Sequence, residues 1–150
     1  AGAAFELQFE RRPSGEASAR AVPPRMLDRG LSGVAHLCCT PDARGRLDCR
    51  VALEWPQREG LGGAALRIAE GFQLTPASLA QFQALPDRVL HMPVELRVLP
   101  VPTRVAVALD EISVRAQNIC GPSSTAPEPI QILLNACDNG AASECGQRAS

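Results

Sequence analysis

The six cysteines are the residues of this 150-residue chain whose number and spacing point most directly to chemistry. They lie at Cys38, Cys39, Cys49, Cys120, Cys137 and Cys145. An even number of cysteines without a Cys-x-x-Cys pair favours disulfide bonds over a zinc site or a redox motif. Because disulfides persist in oxidising compartments, we expect an extracytoplasmic protein. Buried free thiols in a cytosolic protein are the alternative.

Two histidines, His36 and His91, are the other candidate metal ligands. Each lies in a segment with strand character, so the two side chains could approach each other in a sheet with Cys38 nearby. Structural metal sites usually have four ligands in recognisable pairs, and this set is incomplete. The favoured interpretation is a pair of histidines at the surface or rim, and the sequence predicts no metal site and no cofactor.

The serines and carboxylates show no catalytic spacing. No serine lies in a Gly-x-Ser-x-Gly turn, which would expose it as a nucleophile. The carboxylates share no evident pocket, and such groups are mostly solvated surface charges. The residues considered are Ser14, Ser32, Ser78, Ser113, Asp28, Glu54, Asp110 and Glu111. We therefore expect a protein that is not an enzyme, with no catalytic residue and no small-molecule substrate.

Composition and charge exclude several other classes. The chain is 45% hydrophobic and 21% charged, which is typical of a globular domain. Its 15 basic and 16 acidic residues are scattered and nearly cancel, so nucleic-acid binding is not expected. No apolar run reaches the roughly 20 residues that a membrane-spanning helix needs. The chain begins at Ala1 without Met, which suggests a removed signal peptide or membrane anchor.

The cysteines at 38, 39 and 49 lie in a predicted β-hairpin. Residues 34–40 and 46–55 have strand composition, and Gly45 between them fits the left-handed position of a three-residue loop. This register places Cys39 opposite Cys49, where a disulfide could cross the hairpin. Cys38 remains an alternative partner for Cys49.

Other elements of the first hundred residues follow from periodicity. Alternating apolar residues before position 10 predict an edge strand, and residues 1–21 as a whole form a strand and connector. Residues 23–29 and 61–72 predict helices, and 78–88 are mildly helical. Residues 89–98 alternate as a strand, in which Pro93 favours a place at a sheet edge or a bulge.

Residues 99–150 form an extension of different character. Alternation through Val105, Val107, Leu109, Ile112 and Val114 predicts one or two strands, which could fold back on the exposed sheet edge. A Pro-rich connector follows, and 130–136 predict a short apolar helix. If Cys39 pairs with Cys49, the other four cysteines allow three connectivities. A bond from Cys38 to the extension would join it to the rest of the fold.

The order of motifs over residues 22–98 resembles the C-terminal domain of TonB-type energy transducers. The family opens on a Pro-led helix, enters a hairpin through Gly-x-x-Gly-Val, continues with an Ala-rich helix and Phe-x-Pro-Ala, and closes on an Ile-Pro-Ile strand. The corresponding residues here are 22–27 (VPPRML), 30–34 (GLSGV), 45–51 (GRLDCRV), 63–69 (GAALRIA), 72–77 (FQLTPA) and 92–96 (MPVEL). A cysteine pair on the hairpin, carried here by Cys39 and Cys49, also resembles one subgroup.

The resemblance implies an α+β fold: a small antiparallel sheet with helices packed on one face, to which this chain adds the disulfide-bearing extension. It also implies a periplasmic domain that binds an outer-membrane receptor, whose extended segment adds as a strand beside the last strand of the sheet. The residues that would bind this partner are Met92, Val94, Glu95, Leu96, Arg97 and Val98. The family's membrane anchor and Pro-rich spacer are not seen in the sequence, which favours an alternative: a secreted accessory or structural subunit of a larger membrane or envelope complex.

Overall fold

The computed structural model describes residues 6–135 and builds them around one four-stranded sheet. The strands are β1 (Phe9–Arg11), β2 (Gly33–Pro41), β3 (Leu47–Trp55), β4 (Gln73–Leu74), β5 (Leu90–Leu99) and β6 (Ile130–Asn135). The helices are α1 (Gly15–Ala21), α2 (Pro24–Asp28), α3 (Leu61–Ala69), α4 (Pro76–Gln83) and α5 (Thr103–Cys120). None of these helices is long and apolar enough to cross a membrane. Predictions that involve Cys137 and Cys145 lie outside the described residues.

Strands β2 and β3 form the predicted hairpin. The turn is closed by the Asp42 amide, which donates to the Arg46 carbonyl at 2.7 Å, and Gly45 has a positive φ of 85°. A side chain on Gly45 would also come within 2.9 Å of the Leu74 carbonyl oxygen, so glycine is required on both grounds. The register places Cys39 opposite Cys49, as predicted.

The main sheet has the strand order β3-β2-β5-β6. Strands β3, β2 and β5 are antiparallel, which confirms the α+β class and the small antiparallel sheet. Strand β6 joins the outer edge of β5 in parallel, from Val94 paired with Ile130 to Leu99 paired with Asn135. The long connection through α5 makes this possible, because parallel neighbours need a crossover of a dozen or more residues.

The prediction of a helix over 130–136 was wrong. Ile130, Ile132 and Leu134 all face the apolar core, while Gln131 and Leu133 are exposed. That alternation is typical of a strand at the margin of a sheet. As a strand, the segment also satisfies backbone groups along the edge of β5, which a helix would leave unpaired.

One face of the sheet carries the main core. Helix α3 packs there and contacts both β2 and β3. The largest fully buried side chains of this core include Met26, Leu37, Leu61, Phe72, Leu74, Leu90, Met92 and Leu96. The helices of the region that resembles TonB domains thus lie on one face, in agreement with the expected arrangement.

The prediction of strands over 105–114 was also wrong, because this segment belongs to α5. Leu109 and Ala116 lie two helical turns apart and are both fully buried, so the apolar residues also fit a helical period. Helix α5 contacts β2, β3 and β5. It covers the face of the sheet opposite α3, so the sheet is enclosed by helices on both sides.

The N-terminal strand does not join the main sheet. Strand β1 pairs with β4 instead. The Phe9 and Phe72 rings meet edge to face with centroids 5.1 Å apart, and the Arg12 guanidinium lies 5.3 Å and 5.6 Å from their centres. Phe5, the first residue of the predicted alternation, is not among the described residues.

Candidate functional site

Strand β5, the predicted partner-binding strand, has neighbours along both edges. It pairs with β2 from Leu90 to Leu96 and with β6 from Val94 to Leu99. The extension therefore covers this edge, through β6 rather than through residues 105–114. A receptor segment could add beside β5 only after β6 had left.

The side chains of β5 are also engaged within the chain. Met92, Val94, Leu96 and Val98 are at most 3% exposed and belong to the core. Glu95 and Arg97 point to the opposite face, where Arg97 forms an ion pair with Glu95. The Arg97 guanidinium also lies 4.0 Å from the Asp110 carboxylate of α5. The six residues predicted to contact a partner thus stabilise the sheet and its contact with α5.

The outer edge of β6 is different, because no strand within residues 6–135 pairs with it. A groove of about 500 Å³ runs beside this edge. It is lined by Arg12, Pro13, Gly15, Ser18, Ala19, Phe72, Pro129, Ile130, Gln131, Ile132, Leu133 and Leu134. We call it the β6 groove.

The walls of the β6 groove are mainly apolar or small. The β6 side contributes Ile132 and Leu133, and α1 contributes Ser18 and Ala19 on the opposite side. Leu133 is 56% exposed, which is unusual for a large apolar side chain beside a sheet edge. Arg12 is the charged side chain among the described residues that line the groove, and it pairs with Glu128.

A second candidate site lies on the other face of the sheet, where the two histidines meet. His36 Nε2 and His91 Nδ1 are 3.0 Å apart, and the rings are inclined at 76°. The expectation that these histidines approach each other is confirmed. The expectation of a surface or rim position was wrong, because His36 is 1% exposed and His91 is 8% exposed.

The hydrogen bonds fix the tautomers of this pair. His91 Nε2 lies 2.7 Å from the Gly121 carbonyl, which can only accept, so His91 carries its proton on Nε2. Neutral His91 then accepts at Nδ1, and His36 Nε2–H is the donor. This leaves the His36 Nδ1 lone pair buried without a partner. Burial, and then the neighbouring His91, lower the pKa of His36 from 6.5 to about 4.

Two disulfides start from neighbouring residues of β2. Cys39 and Cys49 form the hairpin bond, and Cys38 bonds to Cys120 at the C-terminal end of α5. The Cys39–Cys49 pairing was predicted, and Cys38–Cys120 belongs to one of the three connectivities that the sequence left open. Both bonds fit an extracytoplasmic protein. Nitrogen atoms of His36 and His91 and the sulfur of Cys120 all lie within 4.8 Å of one another.

Sequence reasoning missed two features of these sites. The β6 groove was not predicted because residues 130–136 were predicted to form a helix. The alternation of Ile130, Ile132 and Leu134 nevertheless indicates a strand. The place of Cys120 beside His91 had no local signal, because it depends on how α5 crosses the sheet.

Comparison of the chain with protein-family models, with curated proteins and with solved structures gave no significant match. The resemblance to TonB C-terminal domains therefore stays a prediction.

Proposed function

We propose that this chain is a periplasmic, non-enzymatic protein-binding domain, and that it binds an extended segment of an envelope protein along the outer edge of β6. The observation that carries the proposal is the β6 groove, in which Ile130–Leu134 lie at a sheet edge that no strand of residues 6–135 pairs with, and face a mainly apolar wall. The resemblance to TonB domains suggests strand addition as the binding mode. Because β6 covers the edge of β5, we place the added strand at the outer edge of β6.

Strand addition suits this groove because the backbone provides affinity and alternate side chains provide selectivity. The part of β6 that lines the groove runs from Ile130 to Leu134, so the partner segment would be of similar length. Side chains on one face of the added strand would enter the groove between β6 and Ala19. Those on the other face would lie beside Leu133.

The lining of the groove defines the chemistry of the partner. Apolar residues at alternate positions share one face of the added strand, so they would enter the groove and remove Pro13 from water. An acidic residue near one end would face Arg12, whose side chain is 53% exposed. The expected partner is thus an extended segment with alternating apolar residues and an acidic residue near one end.

Site-directed photo-crosslinking in a cell-envelope extract tests this proposal. A photoreactive residue at position 133 is expected to crosslink to one segment of an envelope protein, identified by mass spectrometry. The matched control is position 44 in the β2–β3 turn, where Arg44 is also exposed but does not line the groove.

The same experiment has two contradicting outcomes. Equal crosslinking from positions 133 and 44 would show nonspecific contact. Crosslinks from position 133 only to residues 136–150 of the same chain would show that the groove is filled internally.

A second candidate function is an accessory subunit that docks permanently on a larger envelope complex. It is favoured by the outer face of α5, where Val107 and Val114 lie two turns apart and are 50% and 62% exposed. A photoreactive residue at position 114 distinguishes the two functions. Docking through α5 predicts stoichiometric crosslinks from position 114 and none from position 133.

A further inference from the structure

Four potential metal ligands converge between β2, β5 and the end of α5. Cys38 and His91 are direct neighbours in the β2–β5 register, and His36 lies two residues before Cys38 on the same face of β2. Cys120, at the C-terminal end of α5, lies against these residues, and its sulfur is bonded to the sulfur of Cys38. Two strands and a helix end thus position two imidazoles and two sulfurs together, with His36, His91 and Cys38 buried and Cys120 partly buried.

We propose that, when the Cys38–Cys120 disulfide is reduced, Cys38, Cys120, His36 and His91 bind one zinc ion. The four residues would then hold either a disulfide or a metal. Two thiolates and two imidazoles are a frequent ligand set for tetrahedral zinc. This site is independent of the β6 groove, so its test does not depend on the proposed function.

The histidine geometry suits a metal placed between the rings. Zinc bonds of about 2.0 Å to nitrogen and about 2.3 Å to sulfur place tetrahedral ligand atoms about 3.3–3.8 Å apart. His36 Nε2 and His91 Nδ1 already lie 3.0 Å apart and face each other. One nitrogen of each histidine and the Cys120 sulfur lie within 4.8 Å of one another, so binding needs a contraction of at most about 1.3 Å.

The positions of the protons on the two histidines are also compatible with zinc binding. His91 would bind through Nδ1 while Nε2–H keeps its hydrogen bond to the Gly121 carbonyl, an arrangement that commonly orients histidine ligands. His36 would bind through Nε2, and its proton would move to Nδ1, which has no hydrogen-bond partner in the disulfide form. Neither imidazole has to lose a proton to the solvent.

Conversion of the disulfide form into the zinc form needs a reductant and releases protons. A dithiol reductant transfers an electron pair to the Cys38–Cys120 bond and two protons to the sulfurs, and it is itself oxidised to a disulfide. Zinc binding then releases two protons as both thiols become thiolates. Return to the disulfide form releases the ion and requires an oxidising disulfide as the electron acceptor.

Zinc binding by the full chain, with and without a phosphine reductant, tests the proposal. Replacing Cys137 and Cys145 by alanine removes two of the four cysteines outside the site, and the other two, Cys39 and Cys49, are tested by a separate control. In this background the reduced chain is expected to bind one zinc ion at least about 100-fold more tightly than the oxidised chain. His91→Gln should weaken binding at least about 10-fold, whereas the control Cys39→Ala/Cys49→Ala should leave affinity unchanged.

Several outcomes would overturn the proposal. The first is that the reduced chain stays folded but binds no zinc. The second is that the zinc affinity is the same in the parent, in His91→Gln and in His36→Gln. If reduction or a substitution unfolds the chain, circular dichroism measures whether zinc restores the fold of the reduced parent chain. The proposal requires that it does. X-ray absorption at the zinc edge of that parent should find two sulfur and two nitrogen ligands, and a different set contradicts the site.

Discussion

At the scale of single residues, the buried histidine pair is the feature with the clearest physical consequence. His36 is held neutral by burial and by His91, and its pKa of about 4 lies below the ordinary 6.5. Above pH 6.5, the folded and unfolded chains are both neutral at this residue. Between pH 6.5 and 4 the unfolded state binds a proton that the folded state excludes, so stability falls as the pH falls.

We therefore predict a pH-dependent contribution from His36. Its loss between pH 7 and pH 4 should approach about 3 kcal/mol, since one pKa unit corresponds to about 1.4 kcal/mol. Urea unfolding of the wild type and of His36→Gln at both pH values measures it. Glu95 and Asp110, which line a cavity beside His36, are common to both proteins, so their effect cancels in the difference. Equal pH dependence of the two proteins would contradict the prediction.

A second prediction concerns the close approach at Gly33. A Cβ there would lie 2.6 Å from the Trp55 carbonyl oxygen, which is backbone and cannot swing away. Gly33→Ala should destabilise the fold by about 1–3 kcal/mol. Gly15→Ala is the matched control, because a Cβ at Gly15 meets nothing within 4 Å. Thermal unfolding of both variants measures the difference, and equal melting temperatures would contradict the prediction.

At the scale of elements, the extension supplies a helix and a strand that complete the sheet. Helix α5 covers one face and β6 covers one edge. Both elements are fixed to the rest of the fold, α5 through the Cys38–Cys120 bond and β6 through its pairing with β5. The extension is thus an ordered part of the fold over the described residues.

The contribution of β6 can be measured by one pair of substitutions. Ile132 is 5% exposed and packs into the core, so Ile132→Ala should cost about 2–5 kcal/mol. Leu133 is 56% exposed, and Leu133→Ala should cost less than about 0.5 kcal/mol. Chemical unfolding of the two variants measures both values. Similar values would indicate that β6 does not pair with β5 in solution.

The two disulfides should also differ in their effect on stability. The Cys38–Cys120 bond joins residues 82 apart, and the Cys39–Cys49 bond joins residues 10 apart. Loop entropy predicts a stabilisation of about 4.5 kcal/mol for the first bond and about 2.7 kcal/mol for the second. Unfolding of the two double alanine variants tests this order, and a larger loss from the hairpin pair would contradict it.

At the scale of the whole molecule, the sequence predicted the part of the fold that local patterns determine. The hairpin followed from Gly45 and the strand composition around it, and this register placed Cys39 opposite Cys49. Helix α3 followed from its apolar face. These features depend on neighbours within a few residues, for which periodicity and turn chemistry are informative.

The features that the sequence did not predict depend on distant contacts. Val105, Val107 and Leu109 fit a strand period, whereas Val105, Leu109 and Ile112 fit a helical one, and the contact with β2 selects the helix. Residues 130–135 become a strand because β5 offers an edge to pair with. The β6 groove could not be foreseen for the same reason, since it joins segments more than 100 positions apart.

The central claim is that the outer edge of β6 binds an extended protein segment. Amide hydrogen exchange tests it most directly, with the segment identified by crosslinking at position 133 added as a synthetic peptide. Added backbone hydrogen bonds should slow exchange within Ile130–Leu134, while exchange in β3 at the opposite edge of the sheet stays unchanged. Unchanged exchange in β6 at saturating peptide, or protection confined to α5, would contradict the claim.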